Sequence, residues 1–387
     1  MINILRDFLD TLYSFNKLKK LPNNKREIVF YSEGRVYWPH FEPLIHFLWH
    51  KYDQEVVYLT SDRNDPILSQ AVPGVTVFYI GSGSIRTLAF ATMQAKIMLM
   101  TMPDLQTFYI KRSPKVNEYV YVHHAMMSCH MAYTSTAFDH FDTIFCTGPY
   151  QIKEIRAREK QKSLPAKRLI EHGYGRLDAL IKELESIPFK NLSAHKKICV
   201  LIAPSWGKNA LLDRLGSDFI GPLISAGFQV ILRPHPQTWL TQSAMLNKVN
   251  LRYKNFDNFS LENNVASKES LISADVMISD WSGAALEFSF ARLKPVLFVD
   301  VPRKVNNLGY KDLEIEPLEV RVRESLGISL NEGDTGNMVD AVKAIIKDKN
   351  KWEERIKAIR DSCIYNLGKS GMVGAKVIMA RLATYKK

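Results

Sequence analysis

Between residues 28 and 299, short apolar runs alternate with helical stretches, and the alternation is interrupted once. Runs near 28–32, 55–60, 75–80, 96–100, 118–123, 143–147 and 168–172 form one series. Runs near 198–203, 229–233, 251–254, 276–279 and 295–299 form a second. Many are rich in Val and Ile without polar alternation, as strands buried on both faces are. This order predicts parallel sheets with helices on both faces. The polar stretch 184–197, LESIPFKNLSAHKK, contains Pro188 and reads as a linker. The expectation is an α/β chain of two Rossmann-like doubly wound domains, 1–190 and 191–365, with a cleft between them. A helix over 366–387 is expected to brace the two. In such sheets ligands bind beyond the carboxyl ends of the strands.

Charge narrows the partners. The net charge is +12, which favours anions. No zinc-finger pattern, RNP motif or long basic run is present, so nucleic acid is not expected. Met1, Leu5, Phe8, Leu12 and Phe15 recur at helical spacing, followed by Lys17, Lys19, Lys20, Lys25 and Arg26. A helix over 1–20 of this kind suits an anionic membrane surface or packing on its own domain. No uninterrupted apolar window is long enough to span a bilayer, and Arg6, Asp7 and Asp10 argue against a secretory signal. The cysteines at 129, 146, 199 and 363 form no CxxC pair, consistent with a reducing cytoplasm.

Polar residues gather where strands end. In VMISDWSGAALEF (276–288), Ser279, Asp280, Ser282 and Gly283 crowd the bend from strand to helix. Free N–H groups and a partial positive charge at a helix start suit a phosphate, and Glu287 one turn on suits ribose hydroxyls. The alternative is an ordinary cap by Ser282 or Asp280. In VILRPHPQ (230–237), Pro234 and Pro236 stiffen the loop around Arg233 and His235. A guanidinium fork and an imidazole suit a diphosphate, His235 donating a hydrogen bond or a proton to the leaving phosphate. In LIAPSWGKNALL (201–212), Ser205 and Lys208 lie at a third strand end and suit phosphate or ribose.

The first domain contributes YVYVHHAMMSCHMAY (119–133). Its strand ends at His123 and His124, and His130 follows. The spacing lacks a nearby carboxylate for zinc, so a general base at His124 is the better reading, with structural histidines as the alternative. HGYGRLDAL (172–180) places Arg176 near the hinge, to touch substrate or to pin the domains.

Taken in order, four segments resemble the CDP-glycerol:poly(glycerophosphate) glycerophosphotransferases, which build teichoic-acid-like polymers. These are VHHA (122–125), FDTIFCTGPYQIKEI (141–155), GYGRLDAL (173–180) and SDWSGAALEFSFARLKPVLF (279–298). Ala125 stands in place of a glycine, Trp281 of a tyrosine, Gly283 of a serine and Glu287 of an aspartate. The resemblance implies a GT-B fold, with acceptor on the first domain and a CDP-activated donor on the second. It implies peripheral attachment to the cytoplasmic face of the cell membrane. It places His124 as base, and Arg233, His235, Asp280, Ser282 and Gly283 on the donor phosphates. His123, His130 and Arg176 are candidates for acceptor contact or hinge.

The implied reaction transfers a polyol phosphate, glycerol phosphate first, from a CDP-activated polyol to a hydroxyl of a lipid-linked or polysaccharide acceptor. The product is a teichoic-acid-like or capsule polymer. No cofactor is implied; a divalent metal is possible, but no Asp-x-Asp motif calls for one. RPHP is also similar to UDP-sugar 2-epimerases, so a GT-B enzyme using a nucleotide sugar is one rival. A non-catalytic, membrane-docked binding protein is the other.

Overall fold

The structure, a computed structural model, describes residues 2–107, 110–186, 197–263 and 269–385, and the side chains of these from residue 6 onward. The first seven strands are β1 (Ile28–Ser32), β2 (Val56–Thr60), β3 (Val75–Tyr79), β4 (Ala95–Met100), β5 (Val116–Val122), β6 (Thr143–Cys146) and β7 (Arg168–Glu171). They form one sheet in the order β3-β2-β1-β4-β5-β6-β7, every pair parallel. The remaining strands are β8 (Cys199–Ile202), β9 (Gln229–Leu232), β10 (Phe259–Leu261), β11 (Val276–Ser279), β12 (Val296–Asp300) and β13 (Gly327–Asn331). They form a second parallel sheet in the order β10-β9-β8-β11-β12-β13. The order reverses between β1 and β4 in one sheet and between β8 and β11 in the other. Splayed helices leave a crevice at such points. β1, β2, β8 and β11 are buried along their whole length, so their unalternating apolar sequences fit central parallel strands.

Two expectations about strands change. Residues 251–254 are not a strand; most lie in the helix Ser243–Tyr253, whose Leu246, Val249 and Tyr253 are buried at helical spacing. The pairing strand is β10, only three residues long. β13 was not foreseen, because its apolar residues are only half-buried at a sheet edge. It can pair there because it opens with Gly327, where a Cβ would lie 1.7 Å from the Val296 carbonyl oxygen. The expected linker at 184–197 lies, but for Leu184–Ser186 and Lys197, outside the described residues.

The chain returns to its first domain near the end. Tyr365 N donates to Thr147 O at 2.9 Å. The Asp178 carboxylate accepts from Gly368 N, Ser370 N and Ser370 Oγ at 2.7, 2.9 and 2.5 Å. The last helix, Ser370–Thr384, then packs on the helix Trp38–Tyr52, where the sequence suggested a brace between domains. The fit is close: a Cβ on Gly371 would lie 2.4 Å from Pro43 O, and one on Gly374 would lie 2.8 Å from His172 Nε2.

Other residues join the two domains. Ser128 N donates to Glu319 Oε2 at 3.0 Å, and Leu318 N donates to Ser128 Oγ at 2.6 Å. Asn306 N reaches Met131 O at 3.1 Å, and Asn307 Nδ2 reaches His130 O at 2.8 Å. The N-terminal helix, Ile2–Lys20, buries Phe15 and Leu18 in the first core and leaves Phe8, Leu9 and Tyr13 exposed. Among the described residues no helix is long and apolar enough to cross a membrane.

Candidate active site

The carboxyl end of β5 delivers His124 into the cleft, partly exposed. Its Nδ1 lies 2.8 Å from Thr101 O, at the end of β4. A carbonyl only accepts, so Nδ1 carries the proton and Nε2 keeps its lone pair. The Tyr121 hydroxyl shares that Nδ1–H at 3.1 Å. Tyr37 and Tyr133 wall the ring edge-on, with centroids at 5.4 and 5.8 Å. Burial pushes the His124 pKa down to about 4, against the raising effects of Thr101 O and Glu287. The imidazole is therefore neutral near pH 7, with its one free nitrogen an acceptor.

The adjacent histidines do other work. His123 is buried, its Nε2 3.7 Å from Cys129 Sγ and its ring packed on Tyr121 and Phe138. It is a core residue with no path to an acceptor. His130 Nε2 donates to Ile315 O at 2.9 Å, and its Nδ1 lies 3.3 Å from Glu154 Oε2. Burial opposes charge on this ring, but Glu154 outweighs it and the pKa rises. His130 thus sits at the hinge, as a tie between domains.

Arg176 has a comparable place. Its Nε donates to Glu287 Oε2 at 2.9 Å, and the Tyr174 hydroxyl donates to Glu287 Oε1 at 2.8 Å. Glu287 raises the Arg176 pKa in spite of burial. In this structure Glu287 is engaged by first-domain residues rather than open to a ribose. The loop after His124 faces the start of the helix Gly283–Arg292: a Cβ on Gly283 would lie 3.7 Å from Met127 Sδ. Ser282 caps that helix, its Oγ accepting from Ala284 N at 3.3 Å, and both Ser282 and Gly283 are half-exposed.

Asp280 and Ser205 are brought together, but not as open ligands. Ser205 N and Oγ donate to the buried Asp280 carboxylate at 2.6 and 2.9 Å, and Leu211 N adds a third bond at 2.8 Å. Asp280 staples the loop after β8 to the end of β11, across the switch point. That loop turns at Gly207, whose φ of +104° suits glycine. Both residues, read from the sequence as donor contacts, are found bonded to each other and to the backbone. The Ser205 hydroxyl proton and three acceptor sites of the Asp280 carboxylate are committed to each other and to the backbone.

Arg233 is also buried and tied. Its Nη1 donates to Ser270 Oγ at 2.8 Å and lies 3.6 Å from Glu262 Oε2. Burial lowers its pKa, and the charges of Arg176 and Glu287 also reach it. His235 caps the next helix, Pro236–Thr241, with Nδ1 accepting from Gln237 N at 3.1 Å. Its proton is therefore on Nε2, the opposite tautomer to His124. Burial, assisted by Lys304, pushes its pKa down to about 4. His235 can offer an N–H donor at neutral pH but not an acidic proton.

Sequence reasoning missed Tyr37 and Tyr133 around His124, Tyr174 at the clasp, and Lys304 near His235. For Lys304 a signal existed: Arg303-Lys304 follow the end of β12, another strand terminus on the ligand side. Among the described residues no group of three or more His, Cys, Asp or Glu is placed to hold a metal.

Comparison with known proteins bears on this geometry. The family model described as CDP-glycerol:poly(glycerophosphate) glycerophosphotransferase matches residues 12–302. The solved wall teichoic acid polymerase TagF superposes with a TM-score of 0.63 at 15% identity, covering 100% of both chains. A variant of that polymerase with CDPG gives 0.63 at 15% identity, over 100% of this chain and 99% of that one. A UDP-GlcNAc 2-epimerase from Neisseria meningitidis bound to UDP-GlcNAc gives 0.57 at 12% identity, over 92% and 99%. These likenesses establish the GT-B fold. No curated protein sequence matches.

Proposed function

Because the chain belongs to the CDP-glycerol:poly(glycerophosphate) glycerophosphotransferase family, we propose that it moves glycerol phosphate from CDP-glycerol to a hydroxyl of a lipid-linked or polysaccharide acceptor, extending a teichoic-acid-like surface polymer. It is a transferase of that type on a GT-B fold. The observation that carries the finer reading is the pair of opposed tautomers, His124 with a free acceptor and His235 with a free donor.

In the proposed reaction the acceptor oxygen attacks the phosphorus that bears the glycerol. The new P–O bond forms as the P–O bond to CMP breaks, and the acceptor proton passes to His124 Nε2. A base already neutral at pH 7 can take that proton without prior loss of its own. Charge gathers on the departing CMP. His235 Nε2–H, Arg233 and the half-exposed start of the helix Gly283–Arg292 are the groups that hold it. Asp280 and Ser205 keep the loop between them in place. Incubation of the purified chain with CDP-[14C]glycerol and a glycerophosphate-primed lipid acceptor tests this. CMP release with label entering the acceptor is expected. Turnover of UDP-GlcNAc with CDP-glycerol inert would move the reading to nucleotide-sugar chemistry.

The same proposal places the chain on the cytoplasmic face of the membrane. The N-terminal helix exposes Phe8, Leu9 and Tyr13 together with Lys17, Lys19 and Lys20, and Lys17 Nζ lies 4.6 Å over the Tyr13 ring. Apolar insertion beside basic charge suits anionic lipid. Co-sedimentation with phosphatidylglycerol vesicles, but not with phosphatidylcholine vesicles, is expected. Loss of pelleting when Phe8, Leu9 and Tyr13 become Ser would assign the contact to this helix.

A further inference from the structure

We propose that Lys304 is a further donor-phosphate ligand, gripping the diphosphate of a nucleoside diphosphate-linked donor beside His235. The inference deepens the donor reading above and rests on it. Lys304 lies on the segment after β12, outside the three strand-end motifs that the sequence marks for phosphate.

Lys304 carries a charge with no bonded counter-ion among the described residues. Lys304 Nζ sits 3.9 Å over the centroid of Trp206, at the end of β8. The His235 ring lies 5.8 Å from the same indole, tilted by 31°. Lys304 is half-buried, and among the described residues it makes no ion pair or hydrogen bond. Asp280 reaches it through its field and raises its pKa, but the hydrogen bonds of that carboxylate go to Ser205 and Leu211 and not to Lys304. A π face is a weak substitute for a counter-charge when an ammonium is partly desolvated. Burial accordingly pushes its pKa down to about 8. A diphosphate in this place supplies what is missing: charge for Lys304 and an acceptor for His235 Nε2–H.

The backbone around Lys304 is fixed for the purpose. Two residues on, Asn306 N and Nδ2 donate to Met131 O and Ala132 O at 3.1 and 2.8 Å. Asn307 Nδ2 donates to His130 O at 2.8 Å. The ammonium is thus carried by a segment anchored on the first domain while it reaches the second-domain ligand side. Lys304 reads phosphate charge, and neither the base nor the polyol. Its positive charge also resists protonation of His235 and keeps that ring a neutral donor.

The test compares wild type with Lys304→Gln and Lys304→Arg. CDP-glycerol binding is measured by calorimetry and cytidine binding by ligand-observed NMR. Loss of one charge-assisted contact should weaken CDP-glycerol about 10- to 100-fold. Cytidine affinity should stay unchanged, Arg should restore most of the loss, and the salt dependence of binding should flatten in the Gln variant. Equal CDP-glycerol affinity in wild type and Lys304→Gln overturns the proposal, as does an equal loss of cytidine, which would mark a structural role. Wild type that binds no CDP-glycerol at all would instead bring down the donor reading, and this inference with it.

Discussion

Tyr174 and Glu287 meet across the cleft, hydroxyl to carboxylate oxygen, at 2.8 Å. The same hydroxyl lies 3.0 Å from the backbone carbonyl of His124, so His124 and the helix Gly283–Arg292 share one anchor. Arg176 completes it from the other carboxylate oxygen. Glu287→Gln keeps an acceptor for Tyr174 and removes the counter-charge of Arg176. It should cost about 1–3 kcal/mol in urea denaturation. A double-mutant cycle with Arg176→Gln should show coupling of about 1 kcal/mol or more. Additive losses would mean that the pair contributes nothing as a pair.

His124→Ala should lower turnover by about 10²–10⁴-fold with little change in thermal stability. The wild-type rate should hold level from pH 8 downward and fall only as pH approaches about 4, where the ring gains its proton and ceases to be a base. An acid limb centred near 6.5, measured on folded enzyme, would show an imidazole unaffected by burial and would count against this assignment.

His235 combines a cap and a donor, and two substitutions separate them. His235→Ala loses the bond from Gln237 N and should cost about 1 kcal/mol in stability as well as activity. His235→Asn restores a capping oxygen and should recover melting temperature without recovering turnover. Full activity in the Asn variant would reduce His235 to its structural role.

Several histidines are held neutral by burial, and this sets an acid limit. His172, His124 and His235 are pushed down to about 4, and His40 and His123 lie well below the usual value. Between about 6.5 and 4 the unfolded chain binds protons that the folded one refuses, so stability falls as pH falls. His172 alone accounts for on the order of 3 kcal/mol over that span. Glu319 acts oppositely. Burial raises its pKa to about 7, so its contribution is present at low pH and lost as pH rises through about 7. Melting temperatures from pH 7 to pH 4 should therefore decline, and His172→Asn should flatten the decline.

The architecture was legible because unalternating apolar strands leave few alternatives. β1, β2, β8 and β11 announce burial on both faces in their own residues. β10 and β13 do not, since short edge strands carry little pattern and Gly327 reveals its use only beside Val296. That His124 and His235 stand just beyond strand ends was legible, the second from its flanking prolines. The bond between Asp280 and Ser205 was not legible, for a physical reason. Both sit where a ligand would be met, and only three dimensions show that they already satisfy each other. Lys304 escaped because its one signal, a basic pair beyond a strand end, does not show that the ammonium comes to lie over Trp206.

The return of the last helix to the first domain has a consequence for synthesis. Domains tend to fold as they emerge, the N-terminal one first. Here the domain of the first seven strands emerges without the helix Ser370–Thr384, so the face of Trp38–Tyr52 and the ring of His172 wait for residues 370–384. The second domain can close around its own sheet while the first is still open. The sheet that carries His124 is begun before the second sheet and completed after it, so a nascent chain would close the second sheet before His124 is firmly seated.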